Sequence, residues 1–331
     1  MIYLKQKEYE ENNHMKMLAL DFGGTFVKHG IVDDDANVTE KGEIPAPRDT
    51  CEHFVQVITD LYEKYRGKVD GIAISMPGVI NSETGYLHSA GAYTEIMKDK
   101  NLFDLLKEKV DVPVAVENDG KSAVLAEAWK GSLEGVSDAA AVIVGSGLGG
   151  GIIMDGKLRK GAHFASGEIS GLLAKPGIYG FDNFVAGISS TTGLLMMTAA
   201  AKGINPGQFE ISGFAGNFER DPNQPVYGGK DVLQWVTDGD PVTCNVFNQW
   251  IKNLVMVIFN LKMTLDPEKI VVGGGISRNP VFVEALKKEY DTACANLKMF
   301  GMPTAELDVC RFTSDANLIG AVYNWKLQNE K

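Results

Sequence analysis

A chain of 331 residues, 44% hydrophobic and 23% charged, can bury a large core without disulfides or a structural metal, and about 150 residues per domain predicts two domains. The net charge of −11 argues against a non-specific binder of nucleic acid or of anionic membranes. No stretch approaches the ~18 consecutive apolar residues of a membrane span, and the charged N-terminal segment lacks the apolar run of a signal peptide.

In chain order, residues 1–14 read as an N-terminal extension. Met17–Leu20 is a short apolar run that predicts a strand, Asp21-Phe22-Gly23-Gly24-Thr25 a glycine turn, and Phe26–Val32 a second strand. A third strand is expected near Val38–Ile44, a helix over Cys51–Tyr65, and a buried strand over Val69–Ser75 that Pro77-Gly78 ends. A short helix over Leu102–Lys109, a strand over Val112–Val116 and a helix over Lys121–Trp129 follow. The second half opens in the same way. Ala139–Val144 predicts a strand, Gly145–Gly151 a glycine cluster, Ile152–Met154 a strand, and Asp155-Gly156 a hairpin turn. Helical patterns cover Phe184–Ala201, Pro241–Thr264, Pro280–Tyr290 and Ala316–Leu327, with a strand at Ile270–Val272. Gly203–Gly229 reads as an irregular excursion. A strand, glycine turn and strand thus occur twice, which predicts two similar α/β halves with a ligand cleft between them.

Glycines in Asp21–Thr25 let backbone N–H groups approach a phosphate, Thr25 adds a hydroxyl, and Asp21 can hold a Mg²⁺ ion through water. A tight hairpin with an acidic cap explains the same string equally well. The second cluster contains GxGxxG at Gly145, Gly147 and Gly150. A dinucleotide fingerprint needs a helix directly after its glycines, and here a strand is predicted, so that reading fails on context. Glu117-Asn118-Asp119 ends a strand and begins a helix; it is either a helix cap or a carboxylate placed to take a proton from a hydroxyl. Glu168 is uninformative alone, and Gly273-Gly274-Gly275 is either a nucleotide-contacting turn or a plain connection. The five histidines form no HExxH, and there is no GxSxG or GxxxxGK[ST]. The four cysteines (Cys51, Cys244, Cys294, Cys310) make neither a CxxC pair nor a disulfide framework, so a cytoplasmic protein is expected.

Together, LALDFGGTFVKHGIV (18–32), ISMPGVIN (74–81), PVAVENDGKSAVLAEAWKG (113–131), AVIVGSGLGGGIIMDGKLRKGAHFASGEI (141–169) and IVVGGGIS (270–277) resemble the ROK family of repressors, open reading frames and sugar kinases. The resemblance runs over about residues 15–327. It implies the actin-like, ribonuclease-H-like ATPase fold, with two α/β domains around a central cleft. Residues 15–118 with about 315–331 would form the first domain and 119–314 the second. It also implies an ATP-dependent kinase acting, with Mg²⁺, on the 6-hydroxyl of a hexose or a hexose-containing glycoside. Asp119 matches the catalytic base. Gly78, Asn118, Asp119 and Glu168 match the sugar side. Asp21, Gly23, Gly24, Thr25 and Lys28 match the first phosphate motif, Gly145, Ser146, Gly147, Gly149 and Gly150 the second, and Gly273, Gly274 and Gly275 the adenosine-side turn.

Three departures qualify the match. The family's GEIGH string reads Gly167-Glu168-Ile169-Ser170-Gly171, without its His; its CxCGxxGCxE zinc segment is replaced by residues 174–183, which hold no Cys or His; and the sugar-binding Glu closing that segment falls near Asn183. No zinc site is therefore expected. These features resemble zinc-lacking branches of the family, among them β-glucoside kinases. N-acetylmannosamine kinase and glucokinase are the alternatives within the family. A sugar-responsive transcriptional regulator lacking its own DNA-binding domain is the alternative outside it. The expected partners are ATP and a sugar, with no nucleic acid and no membrane, and the expected assembly is a homodimer.

Overall fold

The computed structural model describes residues 15–180, 183–211 and 218–329, so the predicted extension 1–14 lies outside the described residues. These form two compact units. One holds the described chain up to Glu134, Lys160–Ser166 and the residues from Asp315 on; the other holds Gly135–Arg159 and the described part of Gly167–Ser314. No helix among the described residues is long and apolar enough to cross a membrane.

In unit 1, β1 (Lys16–Phe22) pairs antiparallel with β2 (Phe26–Asp33), and β2 with β3 (Val38–Pro45). On its other side β1 runs parallel to β4 (Gly71–Met76), and β4 to β7 (Val114–Asn118), giving the order β3-β2-β1-β4-β7. The continuous apolar runs of β1 and β4 suit strands buried on both faces. Helix α1 (Cys51–Tyr65) is capped by the Thr50 hydroxyl, which accepts from the His53 N–H, and it buries Phe54, Ile58, Leu61, Tyr62 and Tyr65 at helical spacing. A two-residue hairpin, β5 (Ile80–Asn81) with β6 (Tyr86–Leu87), was not expected; strands that short leave no periodic signal.

Helix α2 (Asp119–Lys130) lies in unit 1. Its partner is the last helix of the chain, residues Ala316–Asn329. A Cβ on Gly320 would stand 1.6 Å from the Ser122 carbonyl oxygen, so the two helices meet backbone to backbone at a position only glycine can fill.

Unit 2 repeats the scheme. Strands β8 (Ala139–Val144), β9 (Leu148–Met154), β10 (Lys157–Leu158), β11 (Lys269–Gly273) and β12 (Glu306–Val309) lie in the order β10-β9-β8-β11-β12. Helices α3 (Thr191–Lys202), α4 (Gly229–Thr237), α5 (Pro241–Leu265) and α6 (Pro280–Met299) supply the core, with Phe247, Trp250, Leu254, Ile258 and Phe282 fully or almost fully buried. In chain order Ala316–Asn329 is then α7.

Two differences from the sequence reading matter here. The glycine cluster is not one long turn: only Gly145-Ser146-Gly147 turns, while Gly149–Gly151 are strand residues opposite Ile143, Val142 and Ala141. A Cβ on Gly150 would lie 3.0 Å from the Ala141 oxygen and 2.9 Å from Ile169, so close packing, not turning, fixes that glycine. Strand β12 was missed because its residues are mostly half-buried and form no apolar run.

Candidate active site

The β1–β2 turn presents N–H groups outward by tying its carbonyls inward. Gly23 N–H donates to the Phe26 oxygen at 3.0 Å, and a Cβ on Gly23 would lie 2.9 Å from that oxygen. The Gly23 carbonyl accepts from the Tyr93 hydroxyl, the Gly24 carbonyl from Arg48 at 3.2 Å, and the Thr25 carbonyl from the Ala46 N–H at 3.0 Å. Tyr93 is itself wedged edge-on against Phe22 and Phe54. Gly24 and Thr25 are exposed, and neither backbone N–H has an intramolecular partner among the described residues. A turn held in this way can receive an anion without rearranging.

Asp21, the last buried polar residue before the turn, accepts from the Ser75 hydroxyl at 3.2 Å and the Asn317 amide at 3.0 Å. Burial lifts its carboxyl to about 6 and the charge of Asp119 pushes the same way, against Asn317, Lys28 and Ser75. Lys28 stands opposite Asp21 in the ladder.

At the end of β7, Met76 pairs with Asn118, which brings the Pro77-Gly78 bend beside the start of α2. Asn118 is the helix cap: its Oδ1 accepts from the Lys121 N–H at 3.0 Å, and its Nδ2 donates to the Gly78 carbonyl at 3.0 Å. Gly78 has φ +118°, and a Cβ there would meet the Ser89 oxygen at 2.3 Å. Asp119, one residue on, is not the cap. Burial holds its carboxyl above the usual carboxylate range, opposed by the Gly120 N–H at 2.8 Å and by the charge of Lys121. Glu117 is 1% exposed and also raised by burial; its Oε1 accepts from the Asn118 N–H and its Oε2 lies 3.9 Å from Lys160 Nζ.

In unit 2, the Gly145 N–H donates to the Gly147 carbonyl, closing a turn with Ser146 exposed at its tip. The first N–H of α3, from Thr191, donates to the Gly145 carbonyl at 2.9 Å. The Gly273–Gly275 bend sits against the same strand end: Gly273 pairs with Ile143, and Gly274, at φ +95°, leaves no room for a Cβ, which would lie 2.1 Å from the Val144 oxygen. The Glu168 bend packs on β9, where a Cβ on Gly167 would lie 3.0 Å from Gly151 Cα. Unit 2 thus gathers Gly145–Gly150, Gly273–Gly275 and Glu168, while unit 1 gathers Asp21–Lys28, Gly78, Asn118 and Asp119.

Asn183 is turned into its own loop. It is buried, and its Nδ2 donates to the Lys175 carbonyl at 2.7 Å and the Ile178 carbonyl at 2.8 Å, so both amide hydrogens are used there. This geometry makes Asn183 a loop staple and disfavours its expected part as a sugar ligand. A Cβ on Gly171 would meet nothing within 4 Å. No three His, Cys, Asp or Glu among the described residues gather as metal ligands do.

The sequence reading missed Ser75, Tyr93, Arg48 and Asn317. Ser75 left a trace, as the one hydroxyl in the apolar run GIAISM. The other three come from distant segments with no motif of their own.

The ROK family profile matches residues 17–328. A β-glucoside kinase of Listeria innocua is 30% identical over 319 residues, covering 96% of this chain and 99% of that protein. A glucokinase of Halalkalibacterium halodurans is 27% identical over 325 residues, covering 94% and 95%. Among solved structures, a ROK family protein from Streptococcus pneumoniae in complex with sucrose matches with a TM-score of 0.80 at 24% identity, covering 96% of this chain and 99% of that one. With two glycine-turn hairpins in repeated sheets and a match over nearly its whole length, the chain belongs to the ROK family and has the actin-like ATPase fold.

Proposed function

We propose that this protein is an ATP-dependent sugar kinase that transfers the γ-phosphoryl group to a hydroxyl, the 6-hydroxyl, of a hexose unit. The observation that carries the reading is Asp119: a carboxyl at a strand-to-helix junction, held above the usual carboxylate range by burial and bonded by a backbone N–H, in the unit that also carries the open Gly23–Thr25 turn. A base in that state can take the hydroxyl proton as the oxygen attacks phosphorus. The names of the relatives, kinases of β-glucosides and of glucose, support the substrate class.

In this mechanism Asn118 and Glu168 orient the sugar, and the N–H groups of Gly24 and Thr25 with Ser146 receive phosphate oxygens. Gly273–Gly275 form the adenosine-side bend. Positioning and charge neutralisation supply most of the rate in such a transfer. Asp21 and Asp119 are two carboxyls close enough for one to raise the other, a hard-oxygen set that suits Mg²⁺. Asp21 would hold the ion through water, and the ion would supply neutralisation of phosphate charge.

A β-glucoside or another substituted hexose is the proposed acceptor, supported by the open space at Gly171 and the inward turn of Asn183. We also propose a cytoplasmic homodimer that binds no nucleic acid. The net charge of −11 and four cysteines that form no disulfide support the compartment and the absence of nucleic-acid binding, and the resemblance supports the dimer. The test is a coupled ADP-release screen with Mg²⁺ over hexoses, N-acetylhexosamines and β-glucosides. Sugar-dependent ADP release is expected for at least one, and silence across the panel rejects the kinase reading.

A further inference from the structure

Lys121 is a cation in a place that disfavours one. It lies in the first turn of α2, where the helix dipole already places partial positive charge, and it is 1% exposed. A buried ammonium survives only when bonds and counter-charges offset its lost hydration. Here Nζ donates to the carbonyl of Phe164 at 3.0 Å, and the carboxyls of Asp119 and Glu117 both feel its charge.

Phe164 lies in a short strap. Lys160–Ser166 is compact with unit 1, although the chain before it, to Arg159, and after it, from Gly167, belongs to unit 2. The strap is bent sharply: Gly161, Phe164 and Gly167 have φ of +79°, +58° and +84°. A left-handed phenylalanine persists only where its surroundings enforce it. The Ser166 N–H closes the strap on the Lys160 carbonyl at 3.1 Å. It is held to β7 and α2 by Lys160 near Glu117 and by Lys121 on Phe164. Two residues beyond its end comes Glu168.

We propose that Lys121 is a positioning residue for sugar binding, its ammonium clamping the Lys160–Ser166 strap to the helix that Asp119 begins, so that the chain leading into Glu168 starts from a fixed point. This rests on the sugar-kinase reading.

The test compares the full-length protein with Lys121→Met, which keeps length and apolar packing but removes the charge. Hydrogen exchange is read in peptides covering 160–166, and KM is measured for sugar and ATP separately. Exchange in the strap should quicken, KM for the sugar should rise by about 10–100-fold, and KM for ATP should stay within about twofold. Unchanged strap exchange, or an equal rise in both KM values, overturns the proposal. Should Lys121→Met fail to fold, Lys160→Met, whose side chain is 23% exposed, takes its place with the same split expected at smaller size. An active kinase with an unmoved strap overturns the clamp alone. A wild type that phosphorylates no sugar, with a strap that loosens in the variant, overturns the kinase reading alone.

Discussion

In unit 1 the last two residues of β1 and β4 include the buried Asp21 and Ser75, and β7 ends in Glu117-Asn118; in unit 2 β8 ends in Val144 and β11 in Gly273. The strand order is the same in both sheets. The carboxyls differ. Asp21, Glu117 and Asp119, all in unit 1, are raised mainly by burial. In unit 2 the Thr243 hydroxyl and N–H hold Asp240 down at about 2, and Asp308, despite some burial, is lowered by the Val309 N–H and Lys287. Repeating a fold therefore repeats the glycine-turn hairpin without repeating the buried carboxyls. The difference lies in which side chains occupy the strand ends.

The comparison breaks most sharply at the proposed base. Asp119→Asn should lower kcat by about 10²–10⁴ while ATP and sugar still bind. In unit 2, Ser146→Ala should cost about tenfold or less, the worth of one neutral hydrogen bond. Steady-state kinetics on both variants decides; near-normal turnover in Asp119→Asn returns that residue to a structural part.

The proposed function places specificity in the segment after Glu168. A β-glucoside should exceed free glucose in kcat/KM by about 10–200-fold, the range a pocket difference of this kind gives. If glucose is the better substrate, residues other than Gly171 and Asn183 close that end of the pocket.

The glycines of the two units should respond in opposite ways. Gly274→Ala forces a Cβ onto the Val144 carbonyl at positive φ and should cost about 1–3 kcal/mol, read as a lower Tm. Gly24→Ala meets nothing within 4 Å and should leave Tm almost unchanged while weakening ATP binding. Equal Tm losses would contradict the distinction between a packed glycine and an open one.

The smallest effect is in pH. Asp21 titrates near 6 in the folded protein against 3.8 as a free side chain, so the folded state keeps a proton between about pH 4 and 6 that the unfolded chain has released. Its contribution to stability is therefore most favourable below about pH 4 and declines as pH rises through 6. Mg²⁺ should show the reverse preference, because a neutral acid cannot hold the ion's water. The Mg²⁺ concentration for half-maximal activity should climb from pH 7 to 5.5 in the wild type and climb less in Asp21→Asn. Equal climbs in the two proteins would remove Asp21 from the ion's surroundings.

Much of this arrangement was legible in the sequence. The α1 limits, the first hairpin, β8 and the Asp155-Gly156 turn follow from periodicity and turn chemistry, which are local. The chained motifs point to Asp21, Asp119 and both glycine turns. What the sequence hid is long-range. Tyr93 and Arg48 fasten the β1–β2 turn from 70 and 24 residues away, and Asn317 reaches Asp21 across 296 residues. No window of sequence contains such pairs. The packing of α2 against a helix at the far end of the chain is hidden for the same reason. The direction of the Asn183 amide, into its own loop, is likewise set by the fold and not by any motif.

The most direct measurement is to identify the product. The protein would be incubated with ATP, Mg²⁺ and a β-glucoside such as cellobiose, and the mixture followed by ³¹P NMR. The account predicts ADP formed in step with a sugar phosphomonoester coupled to the two protons of a C6 methylene, absent with Asp119→Asn on the same timescale. Phosphate released without a phosphosugar, or equal product from the Asp119 variant, would contradict it.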